Sequence, residues 1–240
     1  MKVGVKLNIR NVIFFLICIL IIIILSVGLY LMNRFNLMPD KIYTAEDFGI
    51  EQAISSVDYN NNGTDDYTDL LIGAQKDAQN HPKYDSSYYS NSYPPDNIGV
   101  CTDVVWRAFR NAGYCLRDMV DNDIKKNPEE YFAVNERDKN IDFRRVRNLR
   151  VFFDKYAEIL TTDEYAIAEW QAGDIVIFGD NSHIGIVSDK RNRDGRTYII
   201  HNGGQPNREE DYLKRADAVR HYRFDASKIS EDVLVQWYED

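Results

Sequence analysis

A cysteine and two histidines carry the chemistry this sequence offers. Cys101 sits in Gly99-Val100-Cys101-Thr102-Asp103-Val104-Val105-Trp106, where it opens an amphipathic segment. His183 opens the short apolar run Ser182-His183-Ile184-Gly185-Ile186-Val187, and His201 follows 18 residues later. Nucleophile, base and orienting group in that order are what a thiol hydrolase needs. A free thiol titrates near 8.5, and a helix N-terminus or a neighbouring imidazolium lowers it to roughly 3.5–7.5. Cys101 is expected to have both, with helix-end N–H groups available to a developing oxyanion. A histidine in an apolar strand needs a polar partner. His183 is read as the base, and His201, across the Lys190–Arg196 hairpin, as the group that holds its tautomer. Three duller readings stand beside this one. Cys101 lies on an apolar stripe and could be a small buried hydrophobe. Cys101 and Cys115 could pair as a disulfide in an oxidising compartment. Cys101, His183 and His201 could bind zinc, although their spacing fits no common zinc pattern. Cys115, His81 and His221 are read as structural or solvated.

The elements that must position these groups follow from periodicity. Cys101 to Ala112 is a helix with Cys101, Val104, Val105, Ala108, Phe109 and Ala112 on one stripe, ended by Gly113. Tyr67 to Gln79 and Arg145 to Leu160 read as further helices. From Trp170 the period changes, and 174–178, 183–187, 197–201 and 219–223 read as short strands. His81 to Asn97, rich in Tyr, Ser, Asn and Pro, reads as a surface loop. Helices followed by an antiparallel sheet imply an α+β fold, not a parallel doubly wound one.

Asp58-Tyr59-Asn60-Asn61-Asn62-Gly63-Thr64-Asp65-Asp66-Tyr67-Thr68-Asp69 has the spacing of a twelve-residue calcium loop. Asp58, Asn60, Asn62, Asp66 and Asp69 supply side-chain oxygens at positions 1, 3, 5, 9 and 12. Thr64 supplies its carbonyl, and glycine stands at position 6. Asp69 replaces the usual glutamate at position 12, as in dockerin-type loops. The plainer alternative is an acidic surface turn. A structural calcium ion is the expected cofactor.

Lys2, Lys6 and Arg10 precede an uncharged apolar run from Asn11 to Met32. That run exceeds the roughly 20 residues needed to cross a bilayer. The expected organisation is a cytoplasmic tail over 1–10, a signal anchor over 11–32 and a linker over 33–51. An extracytoplasmic domain over 52–240, with its loop at 58–69, completes it. A cleaved signal peptide is the alternative. The whole chain carries net charge −9; residues 42–240 hold 24 of its 29 basic and 37 of its 38 acidic groups, net −13. Such a domain is a poor partner for nucleic acid or anionic lipid.

Cys101 at a helix start, Gly173-Asp174-Ile-Val-Ile-Phe178, His183-Ile-Gly-Ile-Val-Ser-Asp189 and Tyr198-Ile-Ile-His201 together resemble the NlpC-type branch of papain-like cysteine peptidases. Those are mostly bacterial cell-wall endopeptidases and amidases. More narrowly, Tyr93-Pro-Pro-Asp-Asn-Ile-Gly-Val-Cys-Thr-Asp-Val-Val-Trp106, Asn140-Ile-Asp-Phe-Arg-Arg145, Trp170-Gln-Ala-Gly-Asp174 and Ile200-His-Asn202 resemble an uncharacterised bacterial domain-of-unknown-function family placed with them. The resemblance spans about Asp58 to Arg223. It implies a papain-like fold, with Cys101 as nucleophile, His183 as base and His201 as third polar residue. At the nucleophile this chain has Val-Cys-Thr-Asp where many NlpC-type enzymes have Asp-Cys-Ser-Gly. Arg144 and Arg145 suit the planar carboxylates of an acidic peptide, such as a peptidoglycan stem. The alternative is a helix start tied to Asp142. The implied activity is hydrolysis of a peptide or amide bond, with peptidoglycan or another cell-envelope peptide as partner. A silent wall-binding or partner-binding module and a thiol-dependent acyltransferase are the competing readings.

Overall fold

Apolar alternation at Ile175, Ile177, Ile184, Ile186 and Ile200 turns one face of a sheet toward the helices, where Val104, Val105, Ala108 and Phe109 meet it. The opposite face carries Val176, Phe178, Val187 and Ile199 and is covered by Trp170, Leu213 and Tyr212. Both faces are therefore dry, which is why these strands read as unbroken apolar runs. Each fully buried large apolar side chain contributes roughly 1.5–3 kcal/mol.

The structure, a computed structural model, describes residues 9–35, 37–38 and 41–238. It divides into units of residues 1–39 and 40–240. In the first, helix α1 (Ile9–Arg34) is long and apolar enough to cross a membrane and buries none of its residues. It contains the span expected over 11–32; residues 1–8 of the expected tail lie outside the described residues.

In the second unit the helices are α2 (Asp66–Asn80), α3 (Cys101–Asn111), α4 (Leu116–Lys126) and α5 (Val146–Tyr156). The strands are β1 (Lys83–Tyr84), β2 (Ile98–Gly99), β3 (Glu158–Ile159), β4 (Ile175–Phe178), β5 (His183–Arg191), β6 (Thr197–Ile200), β7 (Glu209–Glu210) and β8 (Ala218–Arg223). β3-β8-β4-β5-β6-β7 form a sheet antiparallel throughout. β1 and β2 make a small parallel pair. The protein is a mixed α+β chain with an N-terminal apolar helix and an antiparallel sheet.

The structure departs from the sequence reading in the short strands β2, β3 and β7, in the extension of β5 to Arg191, and in the following places. Residues 41–51, expected as linker, are docked on this unit: Tyr43 and Arg191 exchange backbone hydrogen bonds of 3.0 and 2.7 Å. α5 stops at Tyr156, short of Leu160, because Ile159 leaves to pair with Tyr222. The 81–97 loop contributes β1. α4 is additional. Its apolar residues Leu116, Met119, Val120 and Ile124 have helical spacing, obscured by the buried Arg117, Asp121 and Asp123 between them.

Candidate active site

The start of α3 is held from below. Val100 precedes it in extended conformation and offers no side-chain cap. Instead the Asp103 carboxylate reaches back to the Val100 N–H at 2.7 Å, half of a capping box. Asp103 also accepts from the Trp106 indole at 2.8 Å and from Arg144 Nε and Nη2 at 2.8 and 2.9 Å. It is fully buried. Arg144 spends its remaining edge on the Ser87 carbonyl at 2.8 Å. Its carbonyl receives the Thr102 hydroxyl at 3.2 Å. Arg144 is thus a buried strut of the turn that carries Cys101, not a free carboxylate binder, and its partner is Asp103. Asp142 serves its own turn, accepting from the Asp138 N–H at 2.7 Å. Arg145 is exposed.

Cys101 is the first residue of α3 and is buried. Burial pushes its thiol up to about 11, and nearby Asp103 adds to the rise. Backbone N–H groups of Ile184, Thr102 and Cys101 itself donate toward the sulfur and pull the other way. The expected lowering is therefore reversed: in the resting fold the sulfur is desolvated, and the neighbouring histidines are neutral. Cys101 and Cys115 are both free thiols, and Cys115 lies beside the Tyr93 hydroxyl at 3.5 Å.

Ile184, whose N–H reaches Cys101, follows His183 at the start of β5. Pairing of Ile186 with Ile200 brings His201 alongside Gly185. A Cβ at Gly185 would come within 2.7 Å of Ile199 Cγ2 and 3.1 Å of His201 Cβ, so only glycine leaves His201 its place. His183 Nε2 lies 2.8 Å from His201 Nδ1, with the rings perpendicular. His201 Nε2 lies 3.0 Å from Glu210 Oε1, and Glu210 is also ion-paired with Arg215. Burial lowers both histidines to about 3; neighbouring His201 and Arg215 add to this at His183, and Arg215 and Arg208 at His201. The Tyr212 ring lies 5.3 Å from His183 and 4.2 Å from His201. Its hydroxyl is raised chiefly by burial, and it lies near enough to Cys101 for a thiolate there to raise it further, which ties the thiol and both histidines to one locality. His201 has both ring nitrogens engaged, by His183 and by Glu210, so it has none to offer a zinc ion beside Cys101. Among the described residues no group of three or more His, Cys, Asp or Glu is placed to hold a metal.

Cys101 opens onto a groove of about 550 Å³, whose wall includes Tyr84, Phe132, Arg145, Arg147 and Asn181. Phe132 is 94% exposed. Arg145 and Arg147 are exposed, and among the described residues no acidic side chain lines the groove. Arg145 is the half of the expected pair that remains available.

In the acidic loop, Asp58 accepts from the N–H groups of Asn62 and Gly63 at 3.0 and 2.8 Å. Gly63 has φ +90°, a conformation natural to glycine. Asn60 and Asn62 accept from Asn62 and Thr64 N–H groups, and their amides converge on Asp69 Oδ2 at 2.8 and 2.9 Å. Asp58, Asn60, Asn62 and Asp69 are thus joined in one hydrogen-bonded loop, and burial raises the Asp69 carboxyl. Asp66 does not join them. It turns into the core, accepting from the Tyr59 N–H at 2.9 Å and the Tyr114 hydroxyl at 2.6 Å.

His81 meets the Pro206 carbonyl at 2.9 Å. His221 lies between Asp174 and the Thr161 carbonyl, stacked on Trp170, and is structural. Sequence reasoning missed Glu210 and Tyr212. β7 has two residues, too few for a periodic signal, and nothing local marks Glu210 as a partner of His201.

The sequence model of a family described as a domain of unknown function, DUF1287, matches residues 71–224. The chain is 40% identical over 169 residues to the "Uncharacterized protein YijF" of Escherichia coli (strain K12), covering 65% of this chain and 82% of the relative. No solved structure matches it. Cys101, His183, His201 and Glu210 fall within the family span; the 58–69 loop precedes it.

Two stability measurements check this geometry. Arg144→Ala strands the buried Asp103 carboxylate and should cost about 3–5 kcal/mol in chemical denaturation, whereas Arg145→Ala should change it by less than about 0.5 kcal/mol. Comparable losses would show that Arg144 is not the strut. The histidines give a pH signature. Their folded values lie below the reference of about 6.5, so the unfolded chain takes up protons first as pH falls. Stability contributed by their neutral burial is complete above pH 7 and is lost between about 6.5 and 3. The melting temperature should fall from pH 7 to pH 5, less steeply in His201→Gln; a wild-type value flat over that range would contradict neutral burial.

Proposed function

This chain belongs to the DUF1287 family, and we propose that it is a membrane-anchored, extracytoplasmic cysteine hydrolase of the NlpC-type, papain-like kind. Its target is a peptide or amide bond, in peptidoglycan or another cell-envelope peptide. The observation that carries the reading is the hydrogen-bonded line from half-buried His183 to buried His201 and Glu210, with bonds of 2.8 and 3.0 Å, beginning one residue from the N–H that touches Cys101 Sγ.

The chemistry follows from the groups present. With substrate in the groove, Cys101 Sγ attacks the carbonyl carbon while its proton moves to His183. The resting pair is neutral, so this transfer accompanies attack and is not completed beforehand. N–H groups at the α3 N-terminus stabilise the oxyanion. His183 returns the proton to the leaving amine, giving a thioester on Cys101. Water, deprotonated by His183, then releases the carboxylic acid and regenerates the thiol. Arg145 and Arg147 favour a substrate bearing carboxylates, which fits acidic stem peptides.

α1 supports anchoring, and the basic residues before it favour an N-terminus inside and the domain outside. A calcium ion in the 58–69 loop would draw on Asp58, Asp69 and the Thr64 carbonyl, with the Asn60 and Asn62 amides turned to present oxygen in place of the N–H groups they now direct at Asp69. Bound there, it would tie the loop to the start of α2 and serve as a structural ion.

Mass spectrometry of peptidoglycan or acidic peptides incubated with the protein tests the activity. Cys101→Ala should abolish product, and His183→Ala should slow release by about 10²–10⁴-fold. Transfer to an added amine in preference to water would make the protein an acyltransferase. Unaltered substrate with wild type, together with a thiol that resists iodoacetamide even at pH 10, would leave the silent module.

Calcium is tested by calorimetry. EDTA should lower the melting temperature and excess Ca²⁺ restore it, because a ligand at one hundred times its Kd stabilises by about 2.7 kcal/mol. Asp58→Ala should remove the difference. A wild-type transition unmoved by EDTA would make the loop an acidic turn.

A further inference from the structure

We propose that Glu210 is a positioning residue that sets the tautomer of both histidines, leaving Nδ1 of His183 as the unprotonated nitrogen available to the Cys101 thiol. The inference rests on the reading of Cys101 and His183 as nucleophile and base, but the proton order itself follows from hydrogen bonding alone.

A neutral imidazole has one N–H and one acceptor nitrogen. Glu210 is fully buried, and Arg215 is paired to its Oε1. Burial raises the Glu210 carboxyl and the Arg215 cation opposes that rise; in the ion pair it is a carboxylate, which can only accept. The 3.0 Å contact therefore requires the proton of His201 on Nε2. His201 Nδ1 is then an acceptor, so the 2.8 Å contact requires His183 to donate from Nε2. Its Nδ1 is left bare, the state a general base needs. Gln205 does not decide the order. Its amide donates to the His201 carbonyl at 2.9 Å and stands 3.2 Å from both ring nitrogens. Its oxygen is taken by the Gly203 N–H at 2.7 Å.

The direction of the relay is thus fixed at its far end. Without the carboxylate, His201 can carry its proton on either nitrogen, and its Nδ1–H form would drive the proton of His183 onto Nδ1. That form cannot accept from a thiol. Replacement by a group that keeps an acceptor at the Oε1 position should preserve the order. Gln meets the condition, because Arg215 demands an oxygen there.

The experiment is ¹⁵N–¹H correlation spectroscopy of the imidazoles in the full chain in detergent micelles at pH 7.5, assigned with single His→Gln variants. Wild type should show His183 and His201 both as Nε2–H tautomers. Protonation of His183 on Nδ1 overturns the proposal without need of any variant. Glu210→Leu should mix the His183 tautomers and lower kcat by about 10²–10⁴-fold, the range set by general-base loss and wrong-tautomer variants, with KM little changed. Glu210→Gln should retain the wild-type tautomer and most of kcat. A Glu210→Leu protein that keeps a single Nε2–H form at His183, or a Glu210→Gln protein that loses it, also refutes the role. Correct tautomers in a wild type that cleaves nothing would count against the hydrolase reading and leave the proton order standing.

Discussion

The turn that carries Cys101 exists because one buried ion pair closes beneath it. Asp103 could not be taken out of water alone; desolvating an unpaired carboxylate costs several kcal/mol. Here its two oxygens receive the Val100 N–H, the Trp106 indole and two arms of Arg144. The pair joins three segments that are distant in sequence: the 98–100 strand end, α3 and the 140s turn before α5. Without it Val100 has no cap, and the first turn of α3, which includes Cys101, is free to fray.

Burial is the second constraint, and it acts on both members of the expected pair at once. It raises a thiol and lowers an imidazole. Cys101 and the two histidines have therefore moved apart, to about 11 and about 3. A preformed thiolate–imidazolium pair would need opposing interactions stronger than this desolvation. The fold supplies backbone N–H groups to the sulfur and a carboxylate to the far histidine, and these oppose burial only in part. What remains is a neutral and ordered set of groups.

How much of this could be read from the sequence depended on distance along the chain. The stripe Val104, Val105, Ala108, Phe109 and the runs around Ile177 and Ile186 announced their elements, because a period is a local signal. The stop of α5 and the docking of Tyr43 on Arg191 were invisible, since both are decided by strands elsewhere. Within the site, Cys101 and His183 stood out as a polar group at a helix start and one in an apolar strand. Arg144 was misassigned for a physical reason. A doublet of arginines looks alike in sequence, yet one is 2% exposed at its side chain and paired with Asp103, while its neighbour faces solvent. Asp66 failed in the same way: loop spacing puts it at a ligand position, but Tyr114, 48 residues away, takes its carboxylate. Glu210 had no local signature, because its meaning lies wholly in the strand pairing that brings it to His201.

Charge bears on how a substrate would reach this site. Residues 42–240 carry net −13, yet the groove beside Cys101 is walled by arginines without an acid among its described lining residues. At physiological salt the Debye length is about 8 Å, so the overall negative field fades over the distance at which a long anion would first be felt. Within a few ångströms Arg145 and Arg147 dominate. An extended polyanion would have to lie against the acidic surface as well as in the groove, and the first contact opposes the second. A short segment whose carboxylates are confined to the groove meets only the arginines. For the hydrolase proposed above, this charge distribution favours a compact acidic ligand, with an apolar portion set against the exposed ring of Phe132, over an extended polyanion.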